Sequence, residues 1–135
     1  MKFDVITLFP EMITDYCSQS IMKRAIESNT ISVSTTNPRE YTLDKHKKVD
    51  DTPYGGGAGM VLMAQPYVDA YESIEKNENS ITIMLSPQGQ KLDDSLINKL
   101  AQYDQLILLC GHYEGFDERI REIIKPTEIS LGDFV

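Results

Sequence analysis

Short apolar runs alternate with helical periods from residue 65 to the end of this sequence, and this alternation limits the fold more than any other feature. The runs are too short for helices, and their bulky apolar side chains predict buried strands at 81–85, 105–110 and 127–131. Apolar residues at helical spacing predict connecting helices at 65–76, 93–102 and 117–124. Because parallel strands need such crossover connections, we predict an α/β fold with a mostly parallel sheet flanked by helices.

The first sixty residues are less regular. They predict a strand at 3–9, two short helices divided near 18–20, and a second strand at 31–36. Pro10 suits the first position of a helix, and Pro38 ends the second strand. No period holds from 39 to 60, and long irregular segments of compact domains usually carry function or are mobile.

Size and charge narrow the class of protein. A chain of 135 residues is the usual size of one domain, and its net charge of −8 argues against general nucleic-acid binding. The one obvious place for a phosphate is a basic run that contains Lys45, Lys47 and Lys48, with Arg39 upstream. A solvated loop explains that run equally well.

The sequence gives little support for a membrane segment, a metal site or a catalytic histidine. The apolar N-terminus is interrupted by Asp4 and stopped by Pro10, which is too short for a signal peptide or a membrane span, so we expect a cytoplasmic protein. Cys17 and Cys110 show no metal spacing, and we predict buried thiols and no metal site. His46 and His112 have no visible orienting partner, which favours solvent exposure over acid–base catalysis.

Glycine-marked loops follow three of the predicted strands, at 86–90, 110–115 and 130–133. In an open α/β sheet, ligands bind beyond the carboxyl ends of the strands, where the backbone can approach them closely at glycine. A single loop of this kind is usually ordinary turn chemistry. Three of them together predict a nucleotide-like pocket, in which Glu114 is a candidate contact to a base edge or a cationic cofactor.

A second glycine-rich run lies at 54–60, with four glycines among five residues. Met60 stands where the dinucleotide-binding pattern requires glycine, and the sequence contains no Gly-Lys-Ser/Thr motif, so neither a Rossmann nor a P-loop site is predicted. Close approach to a flat partner and a flexible hinge both stay open.

Five segments, read together, resemble the TrmD family of the SPOUT methyltransferases. They lie at 7–12, 49–60, 85–89, 110–119 and 130–135. The resemblance implies methyl transfer from S-adenosylmethionine to N1 of the guanine just 3′ of the tRNA anticodon. It also implies a homodimer with the active site at the subunit interface, and a C-terminal trefoil knot.

The resemblance also implies site residues. The implied cofactor contacts are Ser86, Pro87, Gln88, Gly89, Gly111, Tyr113, Glu114, Gly115, Ser130, Leu131, Gly132, Asp133, Phe134 and Val135. The implied contacts to tRNA are Arg39, Lys45, Lys47, Lys48, Asp50, Tyr54, Gly55 and Gly59. Glu114 is placed beside the target guanine as well.

In the family pattern, the segment at 130–135 continues into further glycines, and the proposed general base lies in that later part. We therefore expect residues 1–135 to form a truncated S-adenosylmethionine-binding domain without the helical tRNA-binding domain, and to be inactive alone. The resemblance leaves open whether these residues complete the knot. Two other functions also stay open, a non-catalytic module that senses an adenosine ligand and a dimerisation module.

Overall fold

The structure is a computed structural model that describes residues 1–134. Within that range the strands are β1 (Lys2–Ile6), β2 (Ser32–Thr36), β3 (Asp50–Asp51), β4 (Val61–Leu62), β5 (Ser80–Lys91), β6 (Gln105–Leu109) and β7 (Thr127–Ser130). The α-helices are α1 (Pro10–Cys17), α2 (Ser20–Glu27), α3 (Ala64–Glu72), α4 (Asp94–Leu100) and α5 (Glu118–Ile124).

Five of these strands form one parallel sheet in the order β2-β1-β6-β5-β7. The predicted α/β fold with a mostly parallel sheet is therefore confirmed. The remaining strands, β3 and β4, form a small antiparallel ribbon of two residues each.

Alternate residues of each strand point to opposite faces of the sheet, and a core packs against each face. On one face, Ile107 and Leu109 of β6 join a core that includes Tyr67 of α3 and Ile120 of α5. On the other face, Leu106 belongs to a smaller core with residues of α4, β5 and β7. Because both faces of the sheet are covered, its strands are accessible mainly at their ends.

The strand β5 differs most from its prediction. It was expected to end at Leu85, but it continues to Lys91. Ile129 of β7 pairs with Leu85 and again with Gln90, so residues 86–89 leave the ladder as a bulge within one long strand. The sequence predicted a loop at this point because the same turn-forming residues occur in a bulge and in a loop between two elements.

The other boundaries differ by a few residues. The strand β1 ends at Ile6 because the N–H of Phe9 donates to Thr7 Oγ1 over 3.1 Å and turns the chain before α1. The helix α3 ends at Glu72, before the predicted limit of 76. The irregular segment contains two features that no period reveals, a 3-10 helix at Pro38–Tyr41 and the strand β3. None of the helices within residues 1–134 is long and apolar enough to cross a membrane.

Candidate functional site

A cavity of about 550 Å³ lies at the carboxyl ends of β6 and the first part of β5. We call it the loop cavity. Its walls are the bulge of β5 and the loop after β6, and they include Ser86, Pro87, Gln88, Gly111, Tyr113, Glu114 and Gly115. The structure thus brings two of the three predicted loops together.

The third loop borders a smaller cavity of about 190 Å³. Its lining includes four residues predicted to bind cofactor, Ser130, Leu131, Gly132 and Phe134. Residues 85–87 line both cavities, so the bulge of β5 is a wall that the two cavities share. Val135, also predicted to bind cofactor, lies outside the described residues.

Local hydrogen bonds shape the bulge of β5. The backbone N–H of Gln88 donates to the buried Ser86 Oγ over 3.2 Å, which closes a tight turn. Gly89 lines neither cavity. A Cβ atom at Gly89 would overlap the backbone of Glu128 and Ile129 in β7, so this glycine allows the bulge to pack against the neighbouring strand.

Hydrogen bonds to β1 and to the core hold the start of the loop after β6. The N–H of Cys110 donates to the carbonyl oxygen of Ile6 over 3.0 Å, and the buried Tyr67 hydroxyl donates to the Cys110 carbonyl. Burial raises the pKa of the Cys110 thiol. Tyr113 and Gly115 then adopt positive φ angles of 56° and 120°, which turn the chain back toward α5.

The third loop is closed by Ser130 and by an ion pair. Ser130 Oγ donates to the carbonyl oxygen of Gly132 over 2.9 Å. Lys91 Nζ and Asp133 Oδ2 lie 2.8 Å apart on the surface, which directs Asp133 toward the end of β5. Asp133 lines neither of the two cavities.

Two charged side chains of opposite sign line the loop cavity, Glu114 and Arg121. Arg121 also contacts Glu118 and Glu128, at 3.1 and 3.0 Å, so its guanidinium group already has two carboxylate partners. No salt bridge within residues 1–134 involves Glu114, so this carboxylate supplies the negative charge that a cationic ligand would meet. The sequence analysis did not predict Arg121. Its place one helical turn after Asp117, on a predicted helix, is the signal that could have identified it.

Backbone hydrogen bonds join the glycine-rich run to the loop after β6. The N–H of Glu114 donates to the carbonyl of Met60 over 2.9 Å, and the N–H of Leu62 donates to the carbonyl of Gly115 over 2.8 Å. A short bridge between Leu62 and Phe116 continues this pairing. The end of the run at Gly59 and Met60 therefore lies directly beside Glu114 of the loop cavity.

A further cavity of about 520 Å³ is lined by residues of the β3–β4 ribbon, α3 and α5. Tyr54, which is fully exposed, and the paired Asp117 and Arg119 are among its lining residues. Hydrogen bonds from Arg119 hold the pKa of the Asp117 carboxyl group below its usual range. Gly55 follows with a φ angle of +85°.

The predicted basic run is a surface loop with internal partners. Arg39 Nη1 donates to the carbonyl oxygen of Lys47 over 3.1 Å. Lys47 and Lys48 lie 3.7 and 3.9 Å from carboxylate oxygens of Glu40 and Asp51, and Lys45 is exposed. Asp50 pairs with Leu62 in the ribbon. The positive charge at this loop is thus partly compensated.

The histidines are exposed, as predicted. The His112 ring lies edge-on between the rings of Phe9 and Tyr113, with centroids 4.9 and 4.6 Å apart. Across residues 1–134 we find no group of three or more His, Cys, Asp or Glu side chains placed to hold a metal ion.

Comparison with known proteins gives a consistent match. The model of the family described as tRNA (Guanine-1)-methyltransferase TrmD matches residues 1–135. A tRNA (guanine-N(1)-)-methyltransferase of Carboxydothermus hydrogenoformans is 52% identical over 100% of this chain and 53% of its own length. A relative of the same name from Clostridium botulinum strain Langeland is 53% identical over 100% of this chain and 55% of its own length.

A solved structure shows the same fold. The crystal structure of tRNA (m1G37) methyltransferase from Aquifex aeolicus matches with a TM-score of 0.87 at 38% identity, over 100% of this chain and 61% of that one. The chain spans about half the length of the curated relatives it matches. It belongs to the tRNA (guanine-N1)-methyltransferase family, TrmD.

Proposed function

We propose that this chain is the S-adenosylmethionine-binding part of an enzyme that methylates N1 of the guanine just 3′ of a tRNA anticodon. The observation that carries the proposal is the loop cavity, in which two glycine-marked loops meet at the carboxyl ends of parallel strands. This is where ligands bind in open α/β sheets. The names of its relatives support the same reaction.

The residues of the cavity fit the chemistry of S-adenosylmethionine. A volume of about 550 Å³ is within the ordinary range for a cofactor of this size. Backbone groups of the glycine loops suit the adenosine part, and the Glu114 carboxylate suits a ligand that carries a positive sulfonium group. Ser86, Pro87, Gln88, Gly111, Tyr113 and Gly115 would form the remaining contacts, with Ser130, Leu131, Gly132 and Phe134 on the adjoining side.

When bound, S-adenosylmethionine supplies a methyl group that is activated for attack by nitrogen. For N1 of guanine to accept it, the N1 proton has to pass to a base within hydrogen-bond reach. We assign that role to no residue of this chain. Glu114 instead serves to orient the two reactants, because it lies between the loop cavity and the glycine-rich run.

The guanine and its tRNA would approach from the side of the glycine-rich run. Tyr54, Gly55 and Gly59 belong to that run, and the exposed Tyr54 ring offers a stacking surface for a base. Arg39, Lys45, Lys47 and Lys48 would lie near tRNA phosphates, where a nearby polyanion would compete with Glu40 and Asp51 for the lysines.

We also propose a cytoplasmic homodimer whose partner subunit covers the exposed apolar side chains of α1 and α2. Met12, Tyr16 and Ile21 are each about 70% exposed, and such surfaces on folded domains usually mark interfaces. Phe9 connects this surface to His112 at the loop cavity. Sedimentation should show a dimer that Met12→Glu weakens, and a monomeric wild-type chain would contradict this proposal.

A methylation assay tests the proposed reaction. This chain should be extended by the C-terminal half of the Carboxydothermus hydrogenoformans relative and given tRNA with guanine or adenine 3′ of the anticodon. We expect methyl transfer to the guanine substrate alone, and none from residues 1–135 in isolation. A folded extended protein that binds S-adenosylmethionine but methylates neither tRNA would overturn the reaction and leave a ligand-sensing module.

A further inference from the structure

Gly59 is the one glycine of the run at 55–59 that a neighbouring side chain covers. A Cβ atom at this position would overlap Glu114 Cγ and lie 3.0 and 3.1 Å from Glu114 Oε1 and Cδ. The same test at Gly55, Gly56 and Gly57 meets no atom within 4 Å. Glu114 therefore lies directly over the backbone of Gly59.

The backbones of the two residues cannot move apart easily. Hydrogen bonds pair Met60 with Glu114 and Leu62 with Gly115, at 2.9 and 2.8 Å. An added methyl group at Gly59 is therefore relieved most readily by rotation of the Glu114 side chain, because that side chain is exposed and flexible. Such a change would move the carboxylate and leave the fold in place.

We infer that Gly59 is a positioning residue, whose missing side chain sets the conformation of Glu114 and thereby the affinity of the loop cavity for S-adenosylmethionine. This role is additional to any contact of Gly59 with guanine, and it rests on the proposed function. Glu114 lines the loop cavity, and the sulfonium group of the ligand is positive. Displacing the carboxylate would remove a favourable charge interaction from the bound state.

The glycine run contains a matched control for backbone strain. Gly59 and Gly56 have φ angles of +86° and +85°, which alanine tolerates poorly at either position. Gly56→Ala therefore reports the cost of that φ angle in open space. The difference between Gly59→Ala and Gly56→Ala isolates the contact with Glu114.

The test is a double-mutant cycle on the 135-residue chain, read by isothermal titration with S-adenosylmethionine. Gly59→Ala should weaken binding about fivefold to tenfold more than Gly56→Ala does, by the size of one exposed charge interaction. In a Glu114→Ala background, Gly59→Ala should weaken binding no more than Gly56→Ala does. S-adenosylhomocysteine, which lacks the sulfonium charge, should show a smaller effect of Gly59→Ala.

Two results would overturn the inference. One is an equal loss of affinity from Gly59→Ala in both backgrounds, which would mean a general effect on the loop. The other is equal losses from Gly59→Ala and Gly56→Ala.

A ligand-free measurement separates this inference from the proposed function. Urea unfolding of the wild type, both single variants and the double variant should show non-additive free energies at positions 59 and 114. If the wild-type chain binds no S-adenosylmethionine, the proposed function fails, and the unfolding cycle still decides the coupling. Additive unfolding energies in that case would overturn the inference as well.

Discussion

The hydroxyl group of Tyr67 donates a hydrogen bond, 3.2 Å long, to the carbonyl oxygen of Cys110, the first residue after β6. Tyr67 is fully buried in α3, and its ring packs edge-on against Phe116 with centroids 5.4 Å apart. A core side chain thus holds both ends of the loop that lines the cavity. This relationship connects the stability of the fold to the shape of the site.

Replacing Tyr67 by Phe removes that hydrogen bond and keeps the ring. We expect the free energy of unfolding to fall by about 1–3 kcal/mol, because a partly buried carbonyl loses its partner. We also expect weaker binding of S-adenosylmethionine, since the loop after β6 would be less well held. Urea unfolding and calorimetric titration would measure the two effects, and unchanged values for both would contradict the assigned role.

Alkaline pH should destabilise the chain through the buried Tyr67 hydroxyl group and the half-buried Cys110 thiol. Burial raises the pKa of Tyr67 and of Cys110, so the folded state keeps both protons to a higher pH than the unfolded state does. Their stabilising contribution is complete below the unfolded pKa values, about 8.5 for the thiol and about 10 for tyrosine, and is lost as pH rises above them. The loss approaches about 1.4 kcal/mol per pH unit for each group.

Urea unfolding between pH 7 and pH 11 tests this behaviour in the wild type, Cys110→Ala and Tyr67→Phe. The first variant should lose the early part of the decline and the second the later part. A wild-type unfolding energy that does not fall above pH 9 would show that neither group has a raised pKa in the folded chain.

Gly89→Ala should be more damaging than the same change at Gly132. A methyl group at Gly89 meets the backbone of Glu128 and Ile129, whereas at Gly132 it meets the exposed ring of Phe134, which can rotate away. We expect a loss of about 1–3 kcal/mol for Gly89→Ala, the usual cost of overpacking. Equal melting temperatures for the two variants would argue against the close packing of the bulge on β7.

Asp117→Ala tests the start of α5. The Asp117 carboxylate accepts a hydrogen bond from the N–H of Arg119, as Asp93 does from Leu96 in α4. Asp117→Ala and Asp93→Ala should each lower the free energy of unfolding by about 1 kcal/mol, the usual contribution of an N-cap side chain. Unfolding energies at pH 7 would check both.

The Asp117 cap should weaken in acid. Because the pKa of Asp117 is lowered in the folded state, its contribution is present above about 3.9 and is lost as pH falls through the folded value. Asp117→Ala should therefore show a smaller acid-induced loss of stability than the wild type does. Identical acid profiles would mean that the Arg119 contact does not persist in solution.

The sequence predicted the strands and helices where the hydrophobic pattern was regular. Hydrophobic periodicity and turn-forming residues identify a strand such as β6, but they cannot show that Leu85 and Gln90 both pair with Ile129 of β7. That pairing depends on a residue far away in the chain. For the same reason the ribbon of β3 and β4 was missed.

The site was predicted through its glycines and its family resemblance. Local signals pointed to Gly111 and Glu114, which line the loop cavity. They could not separate Gly89, which packs against β7, from residues that face the cavity, because both kinds of glycine follow an apolar strand. Tyr67 was missed because a buried aromatic residue in a helix normally indicates only a core. The trefoil knot, the homodimer, the contacts with S-adenosylmethionine and the contacts with tRNA stay predictions.

Binding of S-adenosylmethionine in the loop cavity is best measured by isothermal titration of the 135-residue chain. Parallel titrations with ATP and NAD distinguish this ligand from nucleotides in general. We predict saturable binding of one S-adenosylmethionine per chain, with much weaker or no binding of the other two. A correctly folded chain that binds none of the three, or all three equally, would contradict it.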